Sequence, residues 1–489
     1  MNIEQAIDYV YASYLKAEPY LDYHAADSEK RNPEFSRAII QSVACRESQV
    51  KPTVLVTGSK GKGSVSKMIA EIMGVHCRTG LMTSPHILQF NERIQIQGQP
   101  VSDEDLAKAI ARVKPEFDKV EQQLSVQEYI SPMGIQAAAA LELFRDADVK
   151  FQVMECGKGA AYDDVNNVPH QYAVINRIFL EHTRELGDTL EKIAENKSAV
   201  ITGDQKAVFV SQQEPEVMTV LEKRAQKMQV PLYQYGRDFR AENIVYTEKG
   251  MRFDVVTAEN CYRDIQIPLL GTYQAKNCAL AIALCEKVLE DQKLQMEQCL
   301  DSRKFQTGPC LDSRRSQVQQ PEHVEACCSS LNEPAVKNAL RVLEWPGRLE
   351  VLSSEPLMLL DACINRSSCT NVLEALQQLH IDKVITIIGI PSDKDYLGVA
   401  QEMYTVSEKM ILTKSQNVHY KFGPEQTQTL HQKGIDAEWT ESIAEAMERA
   451  RKYMQEQENY DIPICILGTT SLISDVKVLA ATPMLLPEV

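Results

Sequence analysis

The sequence predicts an α/β protein built from two units, each around a mostly parallel sheet, and three observations carry that expectation. An apolar segment runs straight into a glycine-rich loop, VLVTGSKGKGSVS from Val54 to Ser66. Strand-like runs then alternate with helical ones to about residue 211, the pattern of a parallel sheet with crossover helices. A further set of apolar strands follows Trp345. At 489 residues the chain also exceeds what one ordinary core holds, so two or three domains are expected.

Apolar residues at helical spacing predict a helix over residues 2–16 and another over Glu34 to Val43, with a polar loop, Asp22 to Asn32, between them. After the strand at Val54 and its loop comes a helix from Val65 to Gly74. Gly80-Leu81-Met82 reads as a short strand, and Ser102 as the cap of a helix from Asp103 to Val113. Ala137 to Phe144 is a helix; Phe151 to Glu155, Tyr172 to Asn176 and Lys206 to Ser211 are buried strands. From Phe239 to Pro268 the pattern changes to short alternating strands with turns, and Leu280 to Leu289 returns to helix.

Residues 299–334 are rich in Ser, Gln, Cys and charge, and they repeat CLDSR at Cys299 and again at Cys310, as a surface insertion would. Cysteines and His323 occur there without a C-x-x-C pair, which argues for filler rather than a zinc site. The second α/β unit has strands at Leu357 to Leu360, Val384 to Gly389, Lys409 to Leu412 and Pro463 to Leu467. The expected division is therefore a first unit at 1–298, an insertion and linker at 299–344, and a C-terminal unit at 345–489.

Composition narrows the partners. A net charge of −16, from 68 acidic and 52 basic residues, disfavours general attraction to a nucleic-acid backbone and leaves any phosphate binding to a local site. No run reaches the ~18 apolar residues of a membrane span, and the N-terminus lacks the basic start and apolar centre of a secretory signal. Thirteen cysteines, an odd number without a regular framework, suit reduced thiols, so the expected location is the cytosol.

The loop after Val54 is built to hold phosphate. Gly58, Gly61 and Gly63 remove the Cβ atoms that would keep a polyanion from the backbone amides, and the following helix points its positive end at the same place. Lys62 would neutralise β/γ charge, and Ser64 offers a hydroxyl to a phosphate or a magnesium ion. The spacing is G-x-x-G-K-G-S rather than the usual Walker A, since Val56 stands where the first glycine should be. Functional residues gather at the carboxyl ends of parallel strands, and Glu155, Asn176 and the loop all lie there.

Further segments then converge on one family. Ser84-Pro85-His86, Asn91-Glu92-Arg93-Ile94, Glu155 to Asp163 (ECGKGAAYD), Glu181-His182 with Leu186 to Lys197, Gly271 to Asn277 (GTYQAKN), Trp345-Pro346-Gly347-Arg348 and Asp361 to Asn365 run in order from about residue 52 to 472. They resemble motifs of the folylpolyglutamate synthases, Mur-type ligases that use ATP to join a carboxylate to the amine of an amino acid. The resemblance implies a Mur-ligase-like fold, with a central P-loop ATPase domain and a C-terminal Rossmann-like domain. It implies ATP and magnesium, the first metal ion held by Ser84 and Glu155 with Ser64 as an alternative, and His182 at a second metal position. It implies a carbamylated Lys197, Asn277 at the purine, Arg348 and Asp361 reaching the nucleotide from hinge and second domain, and Arg93 orienting the acid or its phosphate.

The expected function is thus addition of glutamate to a folate through an acyl phosphate, by a monomer or small homo-oligomer acting on small molecules. Two alternatives stay open: a Mur-type ligase joining another acid and amino acid, and a nucleotide-binding relative without turnover. The sequence departs from the family pattern at several points. Its Asp-Gly-Ala-His-Asn-Pro becomes Asp361 to Arg366 with Ile364 for the histidine, its Asp-His pair becomes Glu181-His182, and its phosphate-loop asparagine becomes Lys60. The loop with two glycines becomes Gly159-Ala160-Ala161, the Phe-Glu before the central helix is absent from Ser131 to Ile135, and residues 20–50 lack the leucine- and glycine-rich pattern.

Overall fold

Val54, Leu55 and Val56 are all fully buried, and they alternate between two cores, as the two-residue period of a strand covered on both faces requires. In the computed structural model, which describes residues 1–22, 24–46, 51–247, 249–306, 331–417 and 420–480, that strand is the centre of an eight-stranded sheet. Its strands are β1 (Thr53–Thr57), β2 (Thr79–Met82), β3 (Ile94–Ile96), β4 (Gln99–Pro100), β5 (Phe151–Glu155), β6 (Tyr172–Ile175), β7 (Ala207–Val210) and β8 (Leu232–Gln234). Spatial order is β4-β3-β2-β5-β1-β6-β7-β8, parallel except where β3 joins β2 and β4.

One face packs Val54 and Val56 against Val65, Met68 and Ile69 of the helix Lys62–Gly74, with Leu284 and Val288 of the helix Thr272–Gln306 behind. The other packs Leu55, Ala173 and Ile175 against Ala137 and Ala138 of the helix Pro132–Asp146, with Val10, Ile40 and Phe117 of the helices Ile3–Ala17, Glu34–Ala44 and Asp103–Glu121. Each fully buried Val, Leu, Ile, Met or Phe side chain among them contributes about 1.5–3 kcal/mol. That burial fixes the strand order which brings three strand ends together at the site.

Three antiparallel strands, β9 (Arg240–Thr247), β10 (Gly250–Val256) and β11 (Cys261–Ile267), make a second sheet. The C-terminal unit has six: β12 (Arg348–Ser354), β13 (Leu357–Asp361), β14 (Val384–Gly389), β15 (Ser407–Leu412), β16 (Glu438–Trp439) and β17 (Ile464–Gly468). Their order is β12-β13-β17-β14-β15-β16, all parallel but β12.

Several elements outrun their sequence-based bounds. The helix expected at Val65 starts at Lys62, so two glycines of the loop region fall at its head. The helix from Asp103, capped by Ser102 as expected, passes through Pro115 to Glu121, because Val113 and Phe117 are buried on either side of the proline. The polar stretch 22–32 contains a helical turn, Asp27–Lys30; Asp27 is buried and ion-paired to Lys158 at 3.1 Å, so its polarity marks a buried charge cluster. The helix expected at Leu280 to Leu289 spans Thr272–Gln306. Most of the Cys-rich stretch, 307–330 including the second CLDSR and His323, lies outside the described residues.

Candidate nucleotide site

β1, β5 and β6 are neighbours in register, with Val56 opposite Glu155 and Thr57 opposite Ile175, so the phosphate-type loop, Glu155 and Asn176 leave the sheet side by side. The Asn176 amide donates to the Thr57 carbonyl at 2.8 Å. Its side chain donates to Asn277 Oδ1 at 3.0 Å, and Asn277 donates in turn to Gln274 Oε1 at 3.1 Å. This amide chain lies against the loop. Gly61 has φ +79°, and a Cβ there would stand 2.6 Å from Asn176 Nδ2; a Cβ on Gly63 would stand 2.8 Å from the Trp345 ring. Both positions therefore require glycine. The first ladder bond of the helix runs from Val65 N–H to the Gly61 carbonyl at 3.0 Å, so the preceding amides of its first turn are left without intrahelical acceptors, the arrangement that binds anions.

Two ammonium groups sit behind the loop. Lys62 Nζ and Lys197 Nζ both donate to the Gly58 carbonyl, at 3.0 and 2.9 Å. Lys197 is fully buried and pairs with Glu181 at 3.1 Å. Burial pulls its pKa down from 10.5 to about 8, against the upward pull of Glu181 and with the nearby Lys62 charge adding to the depression.

Glu155 is buried at the end of β5, where the Thr83 hydroxyl donates to its Oε2 and the Ser84 amide donates at 3.3 Å. Burial pushes its carboxyl up, while Lys62, the Thr83 and Ser84 donors and Arg348 pull it back. A cleft of about 1220 Å³ opens here between the two α/β units. From the first unit it is lined by Ser59 to Ser64, Ser84, Glu155 and Glu181, and from the second by Arg348, Ile364, Asn365, Ser368, Lys394 and Thr470. Its charged lining is Lys60, Lys62, Arg348 and Lys394 against Glu155 and Glu181, a surplus of positive charge suited to a polyanion. A second cleft of about 1030 Å³ shares Gly63, Ser84, Pro85, Arg348, Ala362 and Thr470 with the first, and adds Trp345, Ile87, Ile473, Lys67 and Glu92.

Of the residues expected at the site, Gly61, Lys62, Gly63, Ser64, Ser84, Glu155 and Arg348 line the main cleft. The others stand elsewhere. Gly58 and Lys197 lie behind the loop through the shared carbonyl. Asn277 is buried, its amide engaged by Asn176 and Gln274, so it buttresses the loop from behind. Asp361 is buried at the end of β13 and accepts from the Leu349 amide at 2.9 Å, beside Arg348. Arg93 is neither an exposed charge nor part of the cleft lining: it donates to His86 Nδ1 at 2.9 Å and Gln136 Oε1 at 3.1 Å and packs over the Phe90 ring. His182 is exposed in a left-handed turn (φ 47°) at the head of the helix Thr183–Leu186, and Glu181 lines the cleft in its stead.

Sequence reasoning passed over Thr83, Asn176's grip on Asn277, and the Glu181–Lys197 pair. Thr83 directly follows β2, and that position at a parallel-strand end was the available signal.

Among the described residues no group of three or more His, Cys, Asp or Glu is placed to hold a metal ion. The donor set that is present, the buried Glu155 carboxylate with the Ser84 and Ser64 hydroxyls at the cleft, fits a magnesium ion that takes its remaining ligands from water and phosphate oxygens.

Residues 56–285 match the Mur ligase middle domain family. The chain is 26% identical over 428 residues to the folylpolyglutamate synthase of Lacticaseibacillus casei, covering 86% of this chain and 88% of that one. It is 24% identical over 433 residues to the dihydrofolate synthase/folylpolyglutamate synthase of Bacillus subtilis strain 168, covering 86% and 89%. Among solved structures, Mycobacterium tuberculosis folylpolyglutamate synthase complexed with ADP and AMPPCP superposes with a TM-score of 0.77 at 22% identity, covering 97% of this chain and 99% of that one. With its glycine-rich loop inside the matched segment, the chain carries a Mur ligase middle domain and is a divergent relative of the folylpolyglutamate synthases.

Proposed function

We propose that this protein is an ATP-dependent ligase that joins a folate-type carboxylate to glutamate through an acyl phosphate. The observation that carries the reading is the cation-rich cleft between the two α/β units, with the glycine loop and Lys62 on one wall, Arg348 and Lys394 on the other, and the buried Glu155 at its floor. The relatives named folylpolyglutamate synthase, and one crystallised with ADP and AMPPCP, support the same assignment.

The chemistry follows from those groups. A carboxylate is a poor acyl donor, so its oxygen first attacks the γ-phosphorus; the bond to the β-phosphate oxygen breaks and ADP leaves. Glutamate's amine then attacks the acyl carbon, phosphate departs, and the amine gives up its proton. Positioning and charge neutralisation do most of this work. The loop amides and Lys62 bind the phosphates, and Arg348 approaches from the hinge. Glu155 with Ser84 or Ser64 would hold magnesium, which when bound screens phosphate charge. In this reading the depressed pKa of Lys197 favours a neutral amine able to take up carbon dioxide, and a second metal ion would draw on Glu181 as well as His182. Asn277 and Asp361 serve the nucleotide indirectly, by setting the loop and the strand that carries Arg348. Arg93 acts on the acid through the segment that holds Ser84 to Glu92.

The second cleft opens onto the first at Gly63, Ser84 and Arg348, and we assign it to the acid substrate. Trp345 supplies an aromatic face there and a buried Nε1–H without a partner among the described residues. In the same reading residues 1–298 bind ATP, 345–489 close the cleft and 299–344 link them. The same reading has the protein act in the cytosol as a monomer or small homo-oligomer. Phosphate release measured with ATP, tetrahydrofolate and glutamate tests the assignment. Release with another acid and amine alone would make this a different Mur-type ligase, and nucleotide binding without ADP formation from any pair would make it a binder.

A further inference from the structure

Lys60 places a second ammonium in the glycine loop beside that of Lys62, at a position where the family pattern has asparagine. Its Nζ is fully buried and has no hydrogen-bond partner among the described residues. Lysine ammonium groups are almost never buried unless paired, since the charge loses its water and gains nothing in return. The carboxylates of the cleft are already engaged: Glu155 by Thr83 and Ser84, Glu181 by Lys197. Lys62 already has one acceptor, the Gly58 carbonyl. Lys60 thus lines the cleft as its one loop cation without an acceptor among the described residues.

The second unit contributes Ile364 to the same cleft, a side chain that neither donates a hydrogen bond nor carries charge. Among the described residues, the charge on that wall beside Ile364 comes only from Arg348 and Lys394, and Lys60 adds a cation from the loop. The first-turn amides and Lys62 already offer donors to the phosphates that ADP shares with ATP; an added ammonium matches the extra negative group of a triphosphate. We propose that Lys60 binds the terminal phosphate of ATP and is the residue by which this site tells triphosphate from diphosphate. The proposal rests on the nucleotide site described above and not on which acid is ligated.

Calorimetric titration of the full chain with Mg-AMPPCP and, separately, Mg-ADP tests it. Lys60→Met should weaken AMPPCP binding about 10- to 100-fold and ADP binding less than about 3-fold, the loss of one charge-assisted contact, while Lys60→Arg stays within about 3-fold of wild type for both. Equal losses for the two nucleotides, or unchanged AMPPCP affinity, overturn the proposal. Should Lys60→Met lose the wild-type thermal transition, Lys60→Asn decides by the same two titrations. A wild-type chain that binds neither nucleotide removes the ATP assignment and this one together. Selective loss of AMPPCP in a protein that never releases phosphate from folate and glutamate leaves Lys60 standing and sinks only the ligase assignment.

Discussion

Lys62 and Lys197 donate to one acceptor, the carbonyl oxygen of Gly58, from positions 135 residues apart in the chain (197 − 62). Two ammonium groups converging on a single neutral oxygen repel each other, and the repulsion is relieved if one turns to an incoming phosphate or the other is neutralised. Glu181, 3.1 Å from Lys197, offsets part of it. The arrangement keeps the loop closed on itself while leaving its cation ready for a stronger acceptor.

Lys62→Ala should leave the fold intact and lower the rate of phosphate release by about 10²–10³-fold or more, as removal of a charge-stabilising donor does. A wild-type rate in a variant with an unchanged melting curve would take the loop out of the mechanism.

Lys197 titrates at about 8 instead of 10.5, so the unfolded chain binds more protons between those values and this group makes stability rise with pH across that window. Lys197→Met should flatten that rise in melting experiments at pH 8 to 10. Carbon dioxide adds only to the neutral amine, so a carbamate signal from ¹³C-labelled bicarbonate should grow as pH passes through about 8 and vanish in the same variant. Lys197→Ala should slow turnover and recover part of it with small carboxylates; indifference to the substitution would sink the carbamate.

Glu155→Gln separates stability from catalysis. Replacing a buried carboxylate whose ionisation is opposed by burial should leave the nucleotide-free melting temperature unchanged or raise stability by about 1 kcal/mol, because Thr83 and Ser84 can still donate to the amide oxygen. Magnesium-dependent turnover should collapse. Destabilisation with turnover retained would make Glu155 a structural acid.

Trp345→Ala should raise KM for the folate acid about 5- to 50-fold through loss of its aromatic face, while KM for ATP changes little. A reversed split would move the acid out of the second cleft.

Much of the site was legible locally. The loop from Gly58 to Ser64 declares itself by glycine, lysine and hydroxyl within a few residues, and Glu155 by standing at the end of an apolar strand. Arg93 and His182 were legible only as motif members. One proves to be half-buried among His86, Gln136 and Phe90, the other exposed in a left-handed turn, and nothing in a short window foretells either environment. The helix expected to end at Val113 runs on through Pro115 because propensity speaks for an isolated helix, whereas Val113 and Phe117 bury the apolar face that keeps this one going.

Sequence alone determined the strand-to-loop turn, the two α/β units and the chemistry their motifs imply, because periodicity and glycine placement act over a few residues. Tertiary structure decided which charges meet: that Lys197 reaches Gly58, that Thr83 serves Glu155, that Lys60 has no partner and that Arg348 joins the cleft from the other unit. Those meetings depend on strand order and on helices packed against both faces of the sheet, and burial energy of that kind is summed over residues hundreds of positions apart.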